Sequence, residues 1–273
     1  MGVLIAAFVL VALALSLAML AAYVIAEKMQ RSGLVDGIWS LSTGSVAIAA
    51  LIFVPAADAD GWRRLLVACL VAIWSLRLGS HLLLRAARGG DDPRYAWLRQ
   101  QWGADARRRM FLFLQAQAIA AIPLVATVLF AGGRPGALDI IDLLGVSLVI
   151  VAIVGEAIAD RQLSAFRAGS HGKLCDRGLW SWSRHPNYFF EWLIWLGIAV
   201  IALDPRGSYA LGWCALIGPL VMYWLLVHVS GIPPLEAHML RTRGDLFRAY
   251  RARVSAFWPW PPRRQDSQRD TTR

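Results

Sequence analysis

Between Arg177 and Glu191 the chain reads Arg-Gly-Leu-Trp-Ser-Trp-Ser-Arg-His-Pro-Asn-Tyr-Phe-Phe-Glu. A guanidinium, an imidazole, an amide, a phenol and a carboxylate fall where a basic stretch enters an apolar one. Polar groups at that depth are expensive, and they mark function by default. From Asp160 to Asn187 the cations Arg161, Arg167, Lys173, Arg177, Arg184 and His185 alternate with Gly169, Gly172 and Gly178. Guanidinium forks match phosphate oxygens and glycine exposes backbone donors, so the stretch suits a polyanionic ligand. Trp180, Trp182 and Tyr188 offer faces for a purine or nicotinamide ring. Asn187 and Glu191, one helical turn apart, offer an amide and a carboxylate to a ring carboxamide or a ribose hydroxyl. The competing assignment is a basic loop on anionic headgroups with aromatics at the interface. No GxGxxG motif follows a strand, which excludes a soluble Rossmann module as the binder.

A second set of ionisable residues stands inside apolar segments. Asp36 opens one of them; Arg77, His81 and Arg85 step at intervals of four along another, sharing a face. Glu156 and Asp160 repeat the i, i+4 spacing, Glu191 opens a further segment and His228 closes the last. Such groups are tolerated when they pair or line a wet cavity, so their convergence predicts a pocket. The bland alternative pairs Arg77 with Asp36 and lets Arg85 snorkel to the headgroups.

The elements that must position these groups are membrane spans. Of 273 residues, 58% are hydrophobic and 17% charged, with 13 tryptophans, the composition of an integral membrane protein. Val3 to Ala26 has no charge and is long enough to cross a hydrocarbon core about 30 Å thick. Further spans are expected at 34–56, 65–84, 111–132, 138–159, 189–203 and 209–229, giving an all-α polytopic bundle of about seven transmembrane helices. With the N-terminus outside and the C-terminus cytoplasmic, 23 basic residues fall inside and only Arg63, Arg64, Arg134 and Arg206 outside. The net charge of +10 is thereby a topology signal and calls for no nucleic acid. The predicted pocket opens to the cytoplasm, because the outer halves of the spans are nearly bare of charge. Cys69, Cys175 and Cys214 show no metal-type or disulfide spacing. No repeat or second domain is evident, so residues 1–262 read as a single membrane-embedded domain and residues 263–273 as a disordered basic tail.

The run Gly178-Leu-Trp-Ser-Trp-Ser-Arg-His-Pro-Asn-Tyr-Phe-Phe-Glu191, preceded by Glu156-x-x-x-Asp160 and Arg167, resembles the C-terminal half of the steroid 5α-reductase family and its bacterial membrane relatives. With those relatives the resemblance extends to Gly90-Asp91-Asp92-Pro93-Arg94-Tyr95 and to Phe247-x-x-Tyr250 through Trp258-Pro259-Trp260. Its Arg-His-Pro-x-Tyr core is shared with sterol reductases and isoprenylcysteine carboxyl methyltransferases. The resemblance implies NADPH bound from the cytoplasmic side of a bundle in a bacterial inner membrane. Carried over by position, Glu156 stands where the family has asparagine, Asp160 and Arg167 match its acidic and basic cofactor ligands, and Asn187 and Glu191 match its Asn-x-x-x-Glu. His238 and Tyr250 fall near its C-terminal cofactor contacts. Lys173, Arg177, Arg184, His185 and Tyr188 complete the expected cofactor set, and no metal is expected.

On the substrate side, the family's Gln-Glu pair has its counterpart in Val35-Asp36, and its helix-three tyrosine is replaced by Trp74. Tryptophan donates a hydrogen bond but delivers no proton, so the acid role passes to Asp36, His81 or Tyr95. Asp36 and Tyr95 are the expected catalytic residues. The leading expectation is an NADPH-dependent reductase of a C=C bond in a lipophilic, steroid-like or isoprenoid substrate that enters from the bilayer. The alternatives are an S-adenosylmethionine-dependent lipid or prenylcysteine-type methyltransferase, and a lipid- or nucleotide-binding protein without turnover. Arg167, Lys173, Arg177 and Arg184 suit the three phosphates of NADPH better than a sulfonium cation.

Overall fold

The computed structural model describes residues 2–56, 59–88, 92–169 and 173–263. Gly90, Asp91, Gly172 and residues 264–273 of the expected tail lie outside the described residues. The chain is all-helical: α1 (Gly2–Met29), α2 (Leu34–Phe53), α3 (Gly61–Arg88), α4 (Pro93–Trp102), α5 (Ala106–Gly133), α6 (Ile140–Gly169), α7 (Pro186–Ala202), α8 (Ile217–Trp224) and α9 (Ile232–Arg253). Among the described residues only two isolated bridges represent β structure. Six stretches are helical, long and apolar enough to cross a membrane; the expected span at 189–203 is the shorter apolar helix α7, of 17 residues. At 1.5 Å per residue that helix extends about 25 Å.

Three boundaries differ from expectation. α4 and most of α9 replace stretches read as basic loop and tail, and α6 runs to Gly169, so Asp160, Arg161 and Arg167 stand on a helix. α4 begins as local chemistry dictates: Asp92 Oδ1 accepts from the Arg94 N–H at 2.9 Å, and Pro93 occupies the first turn. α9 bends at Gly244, whose φ of 48° lies in the left-handed region that glycine tolerates.

The contacts divide the chain into two compact units, residues 1–151 with 192–224 and residues 152–191 with 225–273. The first is built on small-residue packing. A Cβ added at Gly37 would meet Leu83 at 2.6 Å, and one at Gly44 would meet Ser75 at 2.3 Å, so α2 and α3 approach where side chains are absent. Gly145 and Gly197 serve the crossing of α6 and α7 in the same way. Trp74 is fully buried there, edge-on to Trp195 at 4.8 Å and to Trp39 at 6.5 Å.

In the second unit Phe247, Tyr250 and Val254 form a small core covered by Leu174, Met239 and Leu240. The chain after α9 returns beside Ser183, which pairs with Ser255, while the Trp260 N–H donates to the Trp182 carbonyl at 3.0 Å.

Candidate functional site

Within the second unit, Glu156, Asp160 and Arg167 fall at i, i+4 and i+11 on α6, a spacing that returns to one helix face. α7 packs on α6 where Gly155 leaves room: a Cβ there would lie 2.3 Å from the Phe190 ring. Glu156 and Glu191 are the next residues after that contact, and both are buried. Asn187 and Tyr188 occupy the first turn of α7 and are half-buried. Lys173 and Arg177 are exposed in the connection between the helices, as is Arg167 at the end of α6.

That connection is fixed at several points. Gln162 Oε1 accepts from the Leu179 N–H at 3.0 Å and lies against Gly178, which has φ 58° and no room for a Cβ. Trp180 Nε1 donates to the Ala159 carbonyl at 3.0 Å, and the Arg243 guanidinium donates to the Lys173 carbonyl at 3.1 Å. The exposed cations are therefore held on a braced loop.

Arg184, His185 and Tyr250 differ from this pattern. Arg184 Nε donates to Glu236 Oε1 at 2.7 Å, and its Nη1 donates to the carbonyls of Arg251, at 3.3 Å, and Val254. His185 Nε2 lies 3.2 Å from the same Glu236 oxygen, and its ring stacks on Tyr188 at 5.5 Å. Burial holds the His185 imidazole below the ordinary histidine range against the opposing pull of the Glu236 carboxylate. The Tyr250 hydroxyl donates to the Trp180 carbonyl at 2.5 Å. These three side chains, expected at the cofactor, tie the C-terminal segment to the Arg-His-Pro turn. Glu236, which was not read as their partner, organises the arrangement from 52 residues away. His238 is half-buried on α9.

In the first unit the two expected catalytic residues meet. The Tyr95 hydroxyl donates to Asp36 Oδ1 at 2.6 Å, and Arg94 donates to Asp36 Oδ2. Arg94 also engages Asp92 at 3.0 and 2.9 Å, while Arg99 ties α4 to Glu27 of α1. Tyr95 is buried, with Phe113 edge-on at 6.3 Å; the Asp36 and Arg94 side chains each retain 18% exposure. Asp36 is thus fixed by Arg94 and Tyr95 of α4, a helix absent from the sequence expectation. Arg94 was visible only as part of a family motif.

A different polar cluster joins the first turn of α3, the end of α5 and the start of α6. Arg63 Nε and Nη2 reach Asp142 Oδ1 and Oδ2 at 2.8 and 2.9 Å, and the same guanidinium donates to the carbonyls of Arg134, Gly136 and Ala137, each at 2.7 Å. Arg134 Nη2 reaches Asp142 at 2.6 Å and Asp139 at 2.8 Å.

The family model for proteins of unknown function DUF1295 matches residues 22–254. The chain belongs to that family. It is 23% identical over 253 residues to Uncharacterized protein C594.04c of Schizosaccharomyces pombe, a match that covers 82% of this chain and 72% of the yeast protein. No solved structure matches. The match covers parts of both units and all twelve positions of the expected cofactor set, together with Asp36 and Tyr95.

Proposed function

We propose that this DUF1295 protein is an NADPH-dependent reductase embedded in the membrane, resembling steroid 5α-reductases, that saturates a C=C bond of a lipophilic substrate. The observation that carries this is the composition of the α6–α7 region. Asn187 and Glu191 stand one turn apart on α7, beside an α6 that carries Glu156, Asp160 and Arg167. The braced loop between them presents Lys173 and Arg177. An amide and carboxylates suit the carboxamide and ribose hydroxyls of a dinucleotide, and three exposed cations suit its phosphates. Arg184, held by Glu236, leaves that set and becomes a positioning residue for the turn.

NADPH, when bound, supplies a hydride. The protein supplies the proton, and in the Asp36–Tyr95 pair the tyrosine carries it: Asp36 accepts from both Tyr95 and Arg94, as a carboxylate does. Asp36 orients the Tyr95 hydroxyl, and Arg94 holds Asp36 in place. The membrane is proposed to be a bacterial inner membrane with the cofactor residues on its cytoplasmic side, on the strength of the 23-to-4 distribution of basic residues.

The withdrawal of Arg184 gives one argument to a second assignment. The carboxylates Glu156, Asp160 and Glu191 then weigh more against the remaining cations, and carboxylates suit the sulfonium of S-adenosylmethionine. Calorimetry of the purified protein with each cofactor, together with energy transfer from tryptophan to nicotinamide, separates the two. NADPH is expected to bind and S-adenosylmethionine not to. The reverse result overturns the reductase. Glu191→Gln is expected to weaken NADPH binding about tenfold by removing a charged acceptor, with the melting temperature little changed.

A further inference from the structure

The tryptophans at the C-terminal end of the second unit divide into two kinds. Trp180 is buried, with Nε1 donating to the Ala159 carbonyl, whereas Trp182, Trp258 and Trp260 are 48%, 47% and 71% exposed. The backbone holds these three indoles together. The Trp260 N–H donates to the Trp182 carbonyl at 3.0 Å, the Arg184 N–H to the Ser255 carbonyl at 2.8 Å, and the Ser183 hydroxyl to the Phe257 carbonyl at 2.9 Å. Phe257 is buried beneath this seam, and Trp258, its neighbour, is turned outward. Large apolar rings fixed outward on an ordered segment mark a contact surface, because each leaves favourable burial unrealised.

Two sets of neighbours identify what this surface meets. Trp258 lies edge-on to Phe189 at 5.9 Å, and Phe189 stands in the first turn of α7, which carries a single charge, Glu191, along its whole length. The indoles therefore gather where an apolar helix begins. On their other side the Arg263 N–H donates to the Arg253 carbonyl at 2.9 Å, which sets two arginines beside them; Arg253 also reaches Asp176 at 3.5 Å. An indole has an apolar body and one N–H donor, which suit the acyl boundary and the ester and phosphate oxygens above it, and guanidinium suits the phosphates. α7, at about 25 Å, is shorter than a hydrocarbon core of about 30 Å, so its length alone does not set its depth, and interfacial tryptophan and arginine are the residues that do. The geometry points to Trp182, Trp258 and Trp260 as a membrane-interface anchor that seats the C-terminal segment in the phospholipid headgroup layer at the start of α7. Because Trp182 belongs to the braced connection between α6 and α7, the anchor also sets the height at which that connection meets the leaflet.

The test uses the full-length chain in nanodiscs of phosphatidylcholine and phosphatidylglycerol, without nucleotide or substrate, so its outcome is independent of the reductase proposal. Cys69→Ser and Cys214→Ser remove the exposed thiols, and Cys175 is buried and stays. A nitrobenzoxadiazole label is attached at Trp260→Cys and, in a separate variant, at Trp182→Cys; both positions are exposed, and the hydrogen bond between them is made by backbone that the substitutions keep. Each label is quenched in turn by a nitroxide on the lipid headgroup, by a nitroxide near the end of the acyl chain and by aqueous iodide. The headgroup nitroxide is expected to quench both labels about fivefold more strongly than either of the other two, as befits residues of the interfacial belt. Strongest quenching by iodide places the indoles in water and overturns the anchor. Strongest quenching by the deep nitroxide overturns it as well, since the rings would then face the hydrocarbon. Quenching by none of the three means that a second copy of the chain or another protein covers the surface, and headgroup quenching at only one of the two positions breaks the anchor as a unit; either result overturns the inference.

Discussion

The first unit contains two polar clusters built from the same materials and closed to different degrees. At the start of α3, Arg63 is 0% exposed and Arg134 3%, and Asp142 meets both guanidinium groups within 3 Å. At the start of α2, Asp36 and Arg94 also form an ion pair, but each retains 18% exposure. The first cluster sews together three chain segments that would otherwise bury carbonyls at helix ends. The second keeps part of both partners exposed, whereas the first leaves a buried donor, Arg134 Nε, without a hydrogen-bond partner among the described residues. Arg184 repeats the contrast in the second unit, where its basic neighbours Lys173 and Arg177 remain exposed.

If the closed cluster is structural, Asp142→Ala carries the largest penalty, about 3–5 kcal/mol, because two buried guanidinium groups lose their counterion. Folded yield by size exclusion and thermal unfolding in detergent read this directly. A variant that melts like the parent would erase the distinction between the clusters. Glu236→Ala comes next, at about 2 kcal/mol, through the loss of charge-assisted bonds to Arg184. Faster proteolysis after α9 is the expected sign, and unchanged cleavage would return Arg184 to the cofactor set.

Tyr95→Phe should cost only about 1 kcal/mol of stability, since the ring and its Phe113 contact remain. NADPH oxidation supported by the lipid that copurifies with the protein should nevertheless fall by about 100-fold or more. Retained turnover would place the proton donor elsewhere. The smallest effect belongs to Arg85→Ala, about half-exposed and 3.4 Å from Asp92, which should stay within about 0.5 kcal/mol of the parent. A larger loss would show that the open cluster extends along α3.

The apolar spans were legible because each is long and uniform, and periodicity survives errors of a few residues. α4 announced itself through Asp92-Pro93, an N-cap followed by proline, but its basic, weakly amphipathic sequence reads as a loop. α6 passes Asp160 without a breaker until Gly169, so its extension was signalled by what the sequence lacks. The buried arginines were not legible. Arg63 and Arg134 count as outer positive charges in a topology tally, and nothing local to them indicates Asp142, 79 positions from Arg63. The Arg184–Glu236 pair was hidden for the same reason, since a guanidinium in a Gly-rich basic stretch looks the same whether it awaits a phosphate or a glutamate 52 residues ahead. Long-range pairing, not residue type, decides which cations are available.

The second unit is assembled from two pieces of chain separated by the segment 192–224. During synthesis the Arg-His-Pro turn emerges well before Glu236 and the carbonyls of Arg251 and Val254 exist to receive it. The nascent protein must therefore carry an unneutralised guanidinium through the delivery of α7 and α8 into the bilayer. Bracing of the Arg-His-Pro turn waits on the synthesis of α9, and a chain cut before Glu236 would leave that basic turn uncapped.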